Sequence, residues 1–425
     1  MIKRKLGLII SAIFTFSIFS FNNAEGHPEG ESKILVSTDF VSGGGEISVI
    51  GYNPVTIRVS PHNEGKGGWS QVWWYFSVDG LTPGEQVILQ LNQGDNKNGS
   101  ISPQIYFSYD QDVWGLTNTG ELREINGKQF FVYKHKVQGE KVWFAYDLPY
   151  TPSTMEKLLL PEAKRDSQVE IFELCKTKNN RSVNAIRFNN RSKTSNIKYG
   201  IWLQARAHAF ETGGSWVLNE LGRWLLSNDP EANALRNCAS ITIIPIVDVD
   251  GVVEGRTGKY QMPYDHNRNW EETPNHWEEI QTIKSSIKKM SGENMVDLFI
   301  DFHGPGNLSH PYFIVPQSKD LIFKEQQLNR ESFFEALNAK PLGEKERVTQ
   351  SMTNFYYSER DNYMDSPEGQ NSGKWVTLNA NKHTVALVLE VNMNTPLSTY
   401  SGYKAEAITL GKAISNYFVN EYHKK

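Results

Sequence analysis

The chain has 425 residues, which is long enough for two or three domains. Hydrophobic residues make up 39% and charged residues 22%, a composition typical of globular proteins. The formal net charge of -4 at pH 7 gives no reason to expect a polyanion as partner, so we predict no binding of nucleic acid.

The N-terminus has the pattern of an export signal. Basic residues 3–5 precede an apolar run over residues 6–21, and Ala24 is a small residue suited to cleavage. As a helix, the apolar run would span about 24 Å, which is short of the roughly 30 Å hydrocarbon core of a bilayer. We therefore predict a cleaved signal peptide over residues 1–25, no stable membrane insertion afterwards, and a periplasmic or secreted protein. An uncleaved N-terminal anchor is the alternative.

The next region is rich in short β-branched and aromatic segments. They are GEISVIGYNPVTIRVSP, QVWWYFSVDG, QVILQLNQ, QIYFSYD, QFFVYKHKV and KVWFAYDLPY. Turn signals such as NQGDNKNGS and INGK separate them. We predict an all-β sandwich over residues 30–150, without a polar cluster typical of a catalytic centre.

The pattern changes after Pro152. Thr154–Glu162 is a candidate helix, and buried strands then alternate with helices. The strands are IKYGIWLQARAH, ASITIIPIVDVDG, MVDLFIDFHG and HTVALVLEVN, and the helices are SWVLNELGRWLLS, HWEEIQTIKSSIKKM and YKAEAITLGKAISNYFVNEYH. We predict an α/β domain over residues 151–425, with a mixed, mostly parallel sheet covered by helices on both faces.

Ionisable residues stand at the carboxyl ends of four predicted strands, where ligands bind in sheets of this class. They are His208, Asp248 with Asp250, His303 and Glu390.

Three of the polar residues suit a zinc site. His208 and Glu211 lie on one turn in ARAHAFETGGSWV, and His303 follows in IDFHG. A catalytic zinc ion takes three protein ligands of these types and keeps one position for water. We predict one Zn²⁺ per chain, held by His208, Glu211 and His303. A chance His–Glu pair on an exposed turn and a hydrogen-bonded histidine at a strand end are the alternatives.

Other polar residues suit hydrolysis next to such a metal. Glu390 follows the buried run Val385–Leu389, where a carboxylate is costly unless it has a partner or a catalytic role. It is the candidate base, with a structural salt bridge as the alternative. DHNRNW places Asn267 beside Arg268, whose planar guanidinium can hold a carboxylate through two parallel hydrogen bonds. A surface arginine is the alternative there.

Together these motifs resemble the zinc metallocarboxypeptidases, or funnelins, and in particular their cytosolic-carboxypeptidase branch. The similar segments are, in order, ARAHAFETGGSWV, VDVDGVVEG, DHNRNW, IDFHG and LVLEVN. The segments IRVSP, QVWWYFSV, KVWFAYDLPYT and FELCKT also resemble the β-sandwich and junction that this branch carries. The resemblance thus extends from about residue 45 to the C-terminus.

The resemblance implies roles for the motif residues. It implies zinc binding by His208, Glu211 and His303. It also implies that Glu390 acts as general base and then as acid, and that Asn267 and Arg268 hold the terminal carboxylate of the substrate.

Two further roles, oxyanion stabilisation and binding of the last side chain, fall on residues outside these motifs. The family stabilises the oxyanion with an arginine, which would be expected about where Gly258 stands. Arg256 is two residues earlier and Lys259 one later, and we predict Arg256, with Lys259 as the alternative. By the same resemblance, the pocket for the last side chain draws on the stretch before Glu390, so Lys374 is a candidate for binding an acidic side chain, with Trp375 beneath it.

The predicted function is a zinc-dependent metallocarboxypeptidase that removes C-terminal residues from peptides or proteins, in an exported, bacterial-type form. A zinc amidase acting on peptidoglycan stem peptides or small N-acyl amino acids is one alternative. An inactive glycan- or peptide-binding protein is another, although an inactive domain would be expected to lack a ligand or the base. The sequence leaves open whether Cys175 and Cys238 form a disulfide.

Overall fold

In the computed structural model, two β-sheets in the N-terminal part are followed by a larger mixed sheet with helices. The described residues are 34–65, 71–92, 102–188, 197–304, 311–316, 321, 323–338, 356–360 and 369–425. The predicted signal peptide lies outside them. None of the helices in the described ranges is long and apolar enough to cross a membrane.

Before residue 150, the described residues form ten strands in two sheets. They are β1 (Leu35–Ser37), β2 (Glu46–Tyr52), β3 (Val55–Ser60), β4 (Tyr75–Asp79), β5 (Gln86–Asn92), β6 (Tyr106–Ser108), β7 (Trp114–Leu116), β8 (Glu121–Ile125), β9 (Lys128–Lys136) and β10 (Lys141–Ala145). One sheet has the order β1-β4-β10-β6-β7 and the other β2-β3-β5-β9-β8.

Alternation of buried and partly exposed residues is typical of strands that cover a core with one face. On β5, Val87, Leu89 and Leu91 are buried while the residues between them are partly exposed, as expected for a strand with one face on the core. The predicted strand-rich N-terminal region is therefore confirmed.

The remainder of the chain is built on an eight-stranded sheet. Its strands are β11 (Val169–Lys176), β12 (Ser182–Phe188), β13 (Tyr199–Ala205), β14 (Ala239–Ile244), β15 (Leu298–His303), β16 (Tyr312–Pro316), β17 (Tyr356–Arg360) and β18 (Val385–Glu390). The order is β11-β12-β14-β13-β15-β18-β16-β17. The central run from β14 to β18 is parallel, and β12 and β16 pair antiparallel with its two edges. The predicted mixed sheet is confirmed, while helical cover on both faces stays a prediction.

The helices accompany this sheet. They are α1 (Pro152–Leu158), α2 (Leu160–Ala163), α3 (Thr212–Leu226), α4 (Pro230–Cys238), α5 (Val249–Val253), α6 (Glu278–Gly292), α7 (Lys324–Asn338), α8 (Ser372–Asn379) and α9 (Tyr400–Val419). The predicted helix over Thr154–Glu162 is divided between α1 and α2. Pro161 lies at this division, and it has no amide hydrogen with which to continue the first helix. Both cysteines are free thiols.

One predicted strand ends earlier than expected. ASITIIPIVDVDG was expected to remain extended through Asp250, but β14 ends at Ile244, directly before Pro245. Asp248 instead caps α5 by accepting a 2.7 Å hydrogen bond from the backbone of Gly251. Asp250 pairs with Arg181 at 2.6 Å. The placement of these two carboxylates at a strand end was therefore wrong, because a local helix cap competes with extension.

The N-terminal sheets pack directly on a loop of the second part. The backbone of Ser42 donates a 3.0 Å hydrogen bond to Val253, and Thr257 Oγ1 accepts one of 3.3 Å from Trp73. Gly255 has φ 65°, and a Cβ there would lie 1.9 Å from the carbonyl oxygen of Gly43. This contact therefore requires glycine, and the loop that continues to Lys259 is held by the N-terminal sheets.

Candidate metal centre

A single turn brings His208 and Glu211 together. β13 ends at Ala205, and α3 begins after Glu211, which is its N-cap residue. The helix approaches β15 closely, because a Cβ on Gly214 would lie 2.8 Å from Cβ of Phe302. The glycine therefore lets the turn sit against the strand that carries His303.

His303 reaches the same point from the neighbouring strand. β13 and β15 are parallel, with Ala205 opposite Phe302, so His303 emerges beside the turn. Nδ1 of His303 lies 2.9 Å from Oε2 of Glu211 and 3.1 Å from Nδ1 of His208. Nδ1 of His208 lies 3.0 Å from both oxygens of Glu211. All three side chains are buried.

These donor atoms fit a zinc ion. Four ligands at the usual zinc–nitrogen distance of about 2.0–2.1 Å in a tetrahedron are roughly 3.3 Å apart. The distances of 2.9 to 3.1 Å among the Nδ1 atoms of the two histidines and Oε2 of Glu211 approach this value. A cation at this point would be shared by the lone pairs of both imidazole nitrogens and by the carboxylate. His208, Glu211 and His303 could therefore hold a metal ion.

A carboxylate lies behind each histidine. Asp301 Oδ2 is 3.1 Å from Nε2 of His303, and Asp265 Oδ1 is 3.4 Å from Nε2 of His208. Ser372 Oγ donates a 2.5 Å hydrogen bond to Asp301. Such carboxylates orient metal-binding imidazoles and increase their basicity. No sequence motif identified either aspartate, although Asp301 is two residues before His303 and therefore lies on the same face of the strand.

The electrostatics of the cluster favour a bound cation. Burial opposes ionisation of Glu211, but the charges of His208, Lys259 and His303 outweigh it and hold the pKa of Glu211 well below its usual value. Burial also opposes the charge on His303, yet the carboxylates of Asp301 and Glu211 raise the pKa of His303 well above its usual value. The site therefore concentrates negative charge around imidazole nitrogens.

Glu390 is the last residue of β18 and lies next to the cluster. β15 and β18 are parallel with His303 opposite Glu390, so the two side chains leave the same edge of the sheet. Neighbouring strands are about 4.8 Å apart. Glu390, which is half-buried, thus occupies the strand position next to His303.

Asn267 contacts the cluster, and Arg268 is the next residue. Asn267 Nδ2 lies 3.1 Å from Nε2 of His303, and its Oδ1 accepts a 2.8 Å hydrogen bond from the backbone of Ser372. Arg268 is half-buried and donates a 3.0 Å hydrogen bond to the carbonyl oxygen of Asn267. Asn267 is thus anchored by buried neighbours, and Arg268 is fixed to its backbone.

The structure does not bring Arg256 to the cluster. Its side chain is 51% exposed and pairs with Glu254 at 2.8 Å. Lys259, the alternative, is 23% exposed and its Nζ lies 3.2 Å from Oε1 of Glu211. Glu64, from the N-terminal sheets, holds the intervening loop by accepting a 2.8 Å hydrogen bond from the backbone of Gly258.

Lys374 lies in the first turn of α8 and is half-buried. It is two residues after Ser372, which contacts both Asp301 and Asn267. Trp375 is 3% exposed and packs against Trp270 at a ring-centroid distance of 6.0 Å, so it belongs to the core.

Residues 156–399 match the protein family described as zinc carboxypeptidase, Peptidase_M14. Cytosolic carboxypeptidase 2 of Mus musculus is 27% identical over 261 residues, which cover 55% of this chain and 30% of that protein. The Homo sapiens protein of the same name is 30% identical over 260 residues, which cover 55% of this chain and 28% of that protein. The chain thus spans less than a third of the length of these curated relatives.

Two solved structures have a similar fold. A metallo-carboxypeptidase from Burkholderia cenocepacia has a TM-score of 0.70 at 17% identity, covering 91% of this chain and 99% of that chain. A metallo-carboxypeptidase from Pseudomonas aeruginosa, in complex with (2-guanidinoethylmercapto)succinic acid, has a TM-score of 0.66 at 20% identity, covering 91% and 98%. At these identities the similarity establishes the fold.

Proposed function

Because the chain belongs to the zinc carboxypeptidase family, we propose that it is a metallocarboxypeptidase that hydrolyses the C-terminal peptide bond of peptides or proteins. The observation that carries the proposal is the convergence of His208, Glu211 and His303, whose donor atoms approach to 2.9–3.1 Å at the carboxyl ends of parallel strands. Glu390 stands next to them on the adjacent strand.

His208, Glu211 and His303 are the proposed ligands of one Zn²⁺ per chain. Zinc bound there would polarise an amide carbonyl and lower the pKa of water toward about 7. Asp301 and Asp265 are the proposed orienting groups for these imidazole rings, a role that their distances of 3.1 and 3.4 Å from the Nε2 atoms support.

Glu390 is the proposed general base and acid. Its carboxylate accepts a proton from the attacking water and delivers this proton to the amine nitrogen of the leaving residue. The position of Glu390 at the end of β18, opposite His303 and half-buried, supports this role.

Arg268 and Asn267 are the proposed binding residues for the terminal carboxylate of the substrate. These two residues follow one another on a loop that is anchored to His303 and Ser372. They would therefore place the last peptide bond of the substrate next to the proposed zinc ligands and Glu390. The Pseudomonas aeruginosa neighbour is in complex with a succinic acid derivative, and a carboxylate-bearing ligand of this kind is in keeping with such a site.

Lys259 is the proposed stabiliser of the developing oxyanion, in place of Arg256. Its ammonium group is next to Glu211, whereas Arg256 is paired on the surface. Lys374 is the proposed contact for an acidic side chain at the substrate C-terminus, with a modest preference for Glu or Asp over Leu or Phe.

The proposal includes export. The basic and apolar pattern of residues 1–25 supports cleavage of a signal peptide and a periplasmic or secreted protein. The proposed division remains a β-sandwich over residues 30–150 and a catalytic domain over residues 151–425.

A paired substitution tests the proposal. Glu390→Gln should retain near-stoichiometric zinc by elemental analysis and lose roughly 10²–10⁴ in turnover of peptides, the usual contribution of a positioned base. His303→Ala should lose zinc and turnover together. If Glu390→Gln hydrolyses peptides as fast as the parent, the mechanism is wrong.

A further inference from the structure

A second buried cluster lies at the other end of β15. Asp297 directly precedes this strand and His303 ends it, and six residues of strand separate their Cα atoms by about 20 Å. Asp297 is accompanied by His383, from the turn before β18, and by His423, from the segment after α9. The cluster is therefore distinct from the site proposed for catalysis.

In this cluster, as in the first, one carboxylate oxygen lies close to two imidazole nitrogens. Oδ1 of Asp297 lies 2.9 Å from Nε2 of His423 and 3.1 Å from Nε2 of His383. The residues Asp297, His423 and His383 are 0%, 3% and 5% exposed, respectively. Two imidazoles and a carboxylate at this spacing form a donor set typical of sites for divalent transition-metal ions.

The two oxygens of Asp297 have separate partners. Oδ2 accepts a 2.7 Å hydrogen bond from the backbone of Gly200 and lies 3.4 Å from Nζ of Lys425. Oδ1 faces both imidazoles. One oxygen is thus anchored to the sheet and the other is directed into the cluster.

His423 presents a lone pair to Asp297 in one of its two neutral tautomers. The hydroxyl of Tyr417 has a single hydrogen, for which the carbonyl oxygen of Asn329 at 3.0 Å and Nδ1 of His423 at 2.7 Å are the two acceptors. When the hydroxyl donates to Asn329, Nδ1 carries the proton of the neutral ring, and Nε2 faces a carboxylate oxygen at 2.9 Å without one. A cation bound by both atoms removes this repulsion. In the other tautomer, Nε2 donates a hydrogen bond to Asp297.

His383 adds a second unsatisfied nitrogen. Its Nε2 is buried and makes no hydrogen bond within the described part of the chain, although it lies close to Oδ1 of Asp297. A proton on His423 alone would leave this nitrogen without a directed partner, whereas a metal ion accepts a lone pair from both rings.

The protein also holds the two ligand-bearing segments together. Nδ2 of Asn329 donates to the carbonyl oxygens of His383 and Lys424 at 3.0 and 2.6 Å, and its Oδ1 accepts from the backbone of Lys424 at 2.8 Å. The backbones on both sides of the cluster are therefore fixed by one side chain, so little ordering is required when a ligand binds.

We propose that Asp297, His383 and His423 form a second metal site, which binds a divalent transition-metal ion such as Zn²⁺ and fastens the C-terminal segment to the central sheet. Three protein donors leave one position for water. The site stands independently of the proposed peptidase function, because it shares no residue with the first cluster.

Metal counting in a chain without the first site tests this proposal. The full-length His208→Ala/His303→Ala variant is stripped with a chelator, reloaded with Zn²⁺ and desalted, and its zinc content per chain is measured by mass spectrometry. We expect about one zinc per chain. Adding His423→Gln or His383→Gln should remove it. Adding His276→Gln, the same change at an exposed histidine, should not.

Two results would overturn the proposal. The first is a His208→Ala/His303→Ala chain that holds no zinc, which would show that the second cluster is a hydrogen-bonded network completed by a proton. The second is bound zinc that survives both His423→Gln and His383→Gln. Because either triple variant could fail to fold, the melting temperature of the His208→Ala/His303→Ala chain is also measured with and without Zn²⁺. A rise supports the site, and no change contradicts it.

Discussion

Replacing Lys259 by Met should separate oxyanion stabilisation from metal binding. Lys259 is 23% exposed and its ammonium nitrogen lies 3.2 Å from a carboxylate oxygen of Glu211, so it can reach charge that develops near the proposed metal. Removing one positioned donor to an oxyanion costs roughly 10²–10³ in kcat. We expect a loss of this size for Lys259→Met, with a much smaller loss for Lys259→Arg, which retains a cation.

Zinc content should not fall in Lys259→Met. The ammonium group repels a divalent cation held by Glu211, so its removal leaves metal binding intact or strengthens it. Elemental analysis of the purified variants, alongside kcat for a peptide with a free C-terminus, therefore shows whether activity is lost through the chemistry or through the metal.

Arg256→Met is the matched control. Arg256 is 51% exposed and pairs with Glu254 on the surface, where an ion pair contributes about 0–1 kcal/mol to stability. We expect kcat close to that of the parent. If Arg256→Met loses activity as expected for Lys259→Met, while Lys259→Met turns over normally, the assignment drawn from the structure is wrong.

Three further substitutions test other parts of the site and core. Arg268→Ala should lower kcat/KM for peptides with a free C-terminal carboxylate, by an amount equivalent to about 1.5–3 kcal/mol of transition-state stabilisation. An equal loss of kcat/KM on C-terminally amidated peptides would contradict the role of Arg268. Burial without a hydrogen-bond partner in the described residues raises the pKa of Glu406 well above its usual 4.5. The carboxyl group therefore keeps its proton more tightly in the folded state than in the unfolded state, and the free energy of unfolding should fall as pH rises above about 4.5. Glu406→Gln should reduce that fall in urea unfolding at pH 5 and pH 8, whereas an unchanged difference would refute the argument. Burial opposes the charge on His266, but the carboxylates of Asp248 and Glu279 raise its pKa above 6.5, so its stabilisation is present below pH 6.5 and lost as pH rises through the folded-state pKa. His266→Gln should therefore destabilise the protein more at pH 6 than at pH 9, and a pH-independent loss would show that only packing matters.

Much of the candidate site depends on local spacing and could be predicted. His208 and Glu211 are three residues apart between a strand and a helix, so any fold that keeps this turn presents both to one point. His303 and Glu390 each end an apolar run that is long enough for a buried strand, and parallel strands bring such ends to one edge of the sheet. The spacing on the turn and the ends of the apolar runs were therefore sufficient to predict that these residues lie at one edge of the sheet.

Other features depend on backbone geometry that spacing does not encode. Arg256 and Lys259 are three residues apart on a loop with Gly255 at φ 65° and Gly258 at φ 80°. These left-handed conformations, enforced by contacts with the N-terminal sheets, decide which cation faces Glu211. Neither the local sequence pattern nor the composition specifies these backbone angles.

The sequence by itself determined the turn that pairs His208 with Glu211 and the four strands β13, β14, β15 and β18, because these follow from residue spacing and from apolar runs. Only the tertiary structure decided which distant groups meet. Asp297, His383 and His423 are separated by 86 and 40 positions along the chain (383 − 297 and 423 − 383), yet they converge because the sheet and the C-terminal segment fold onto one another. Such convergence depends on the packing of whole elements, which short-range periodicity does not record.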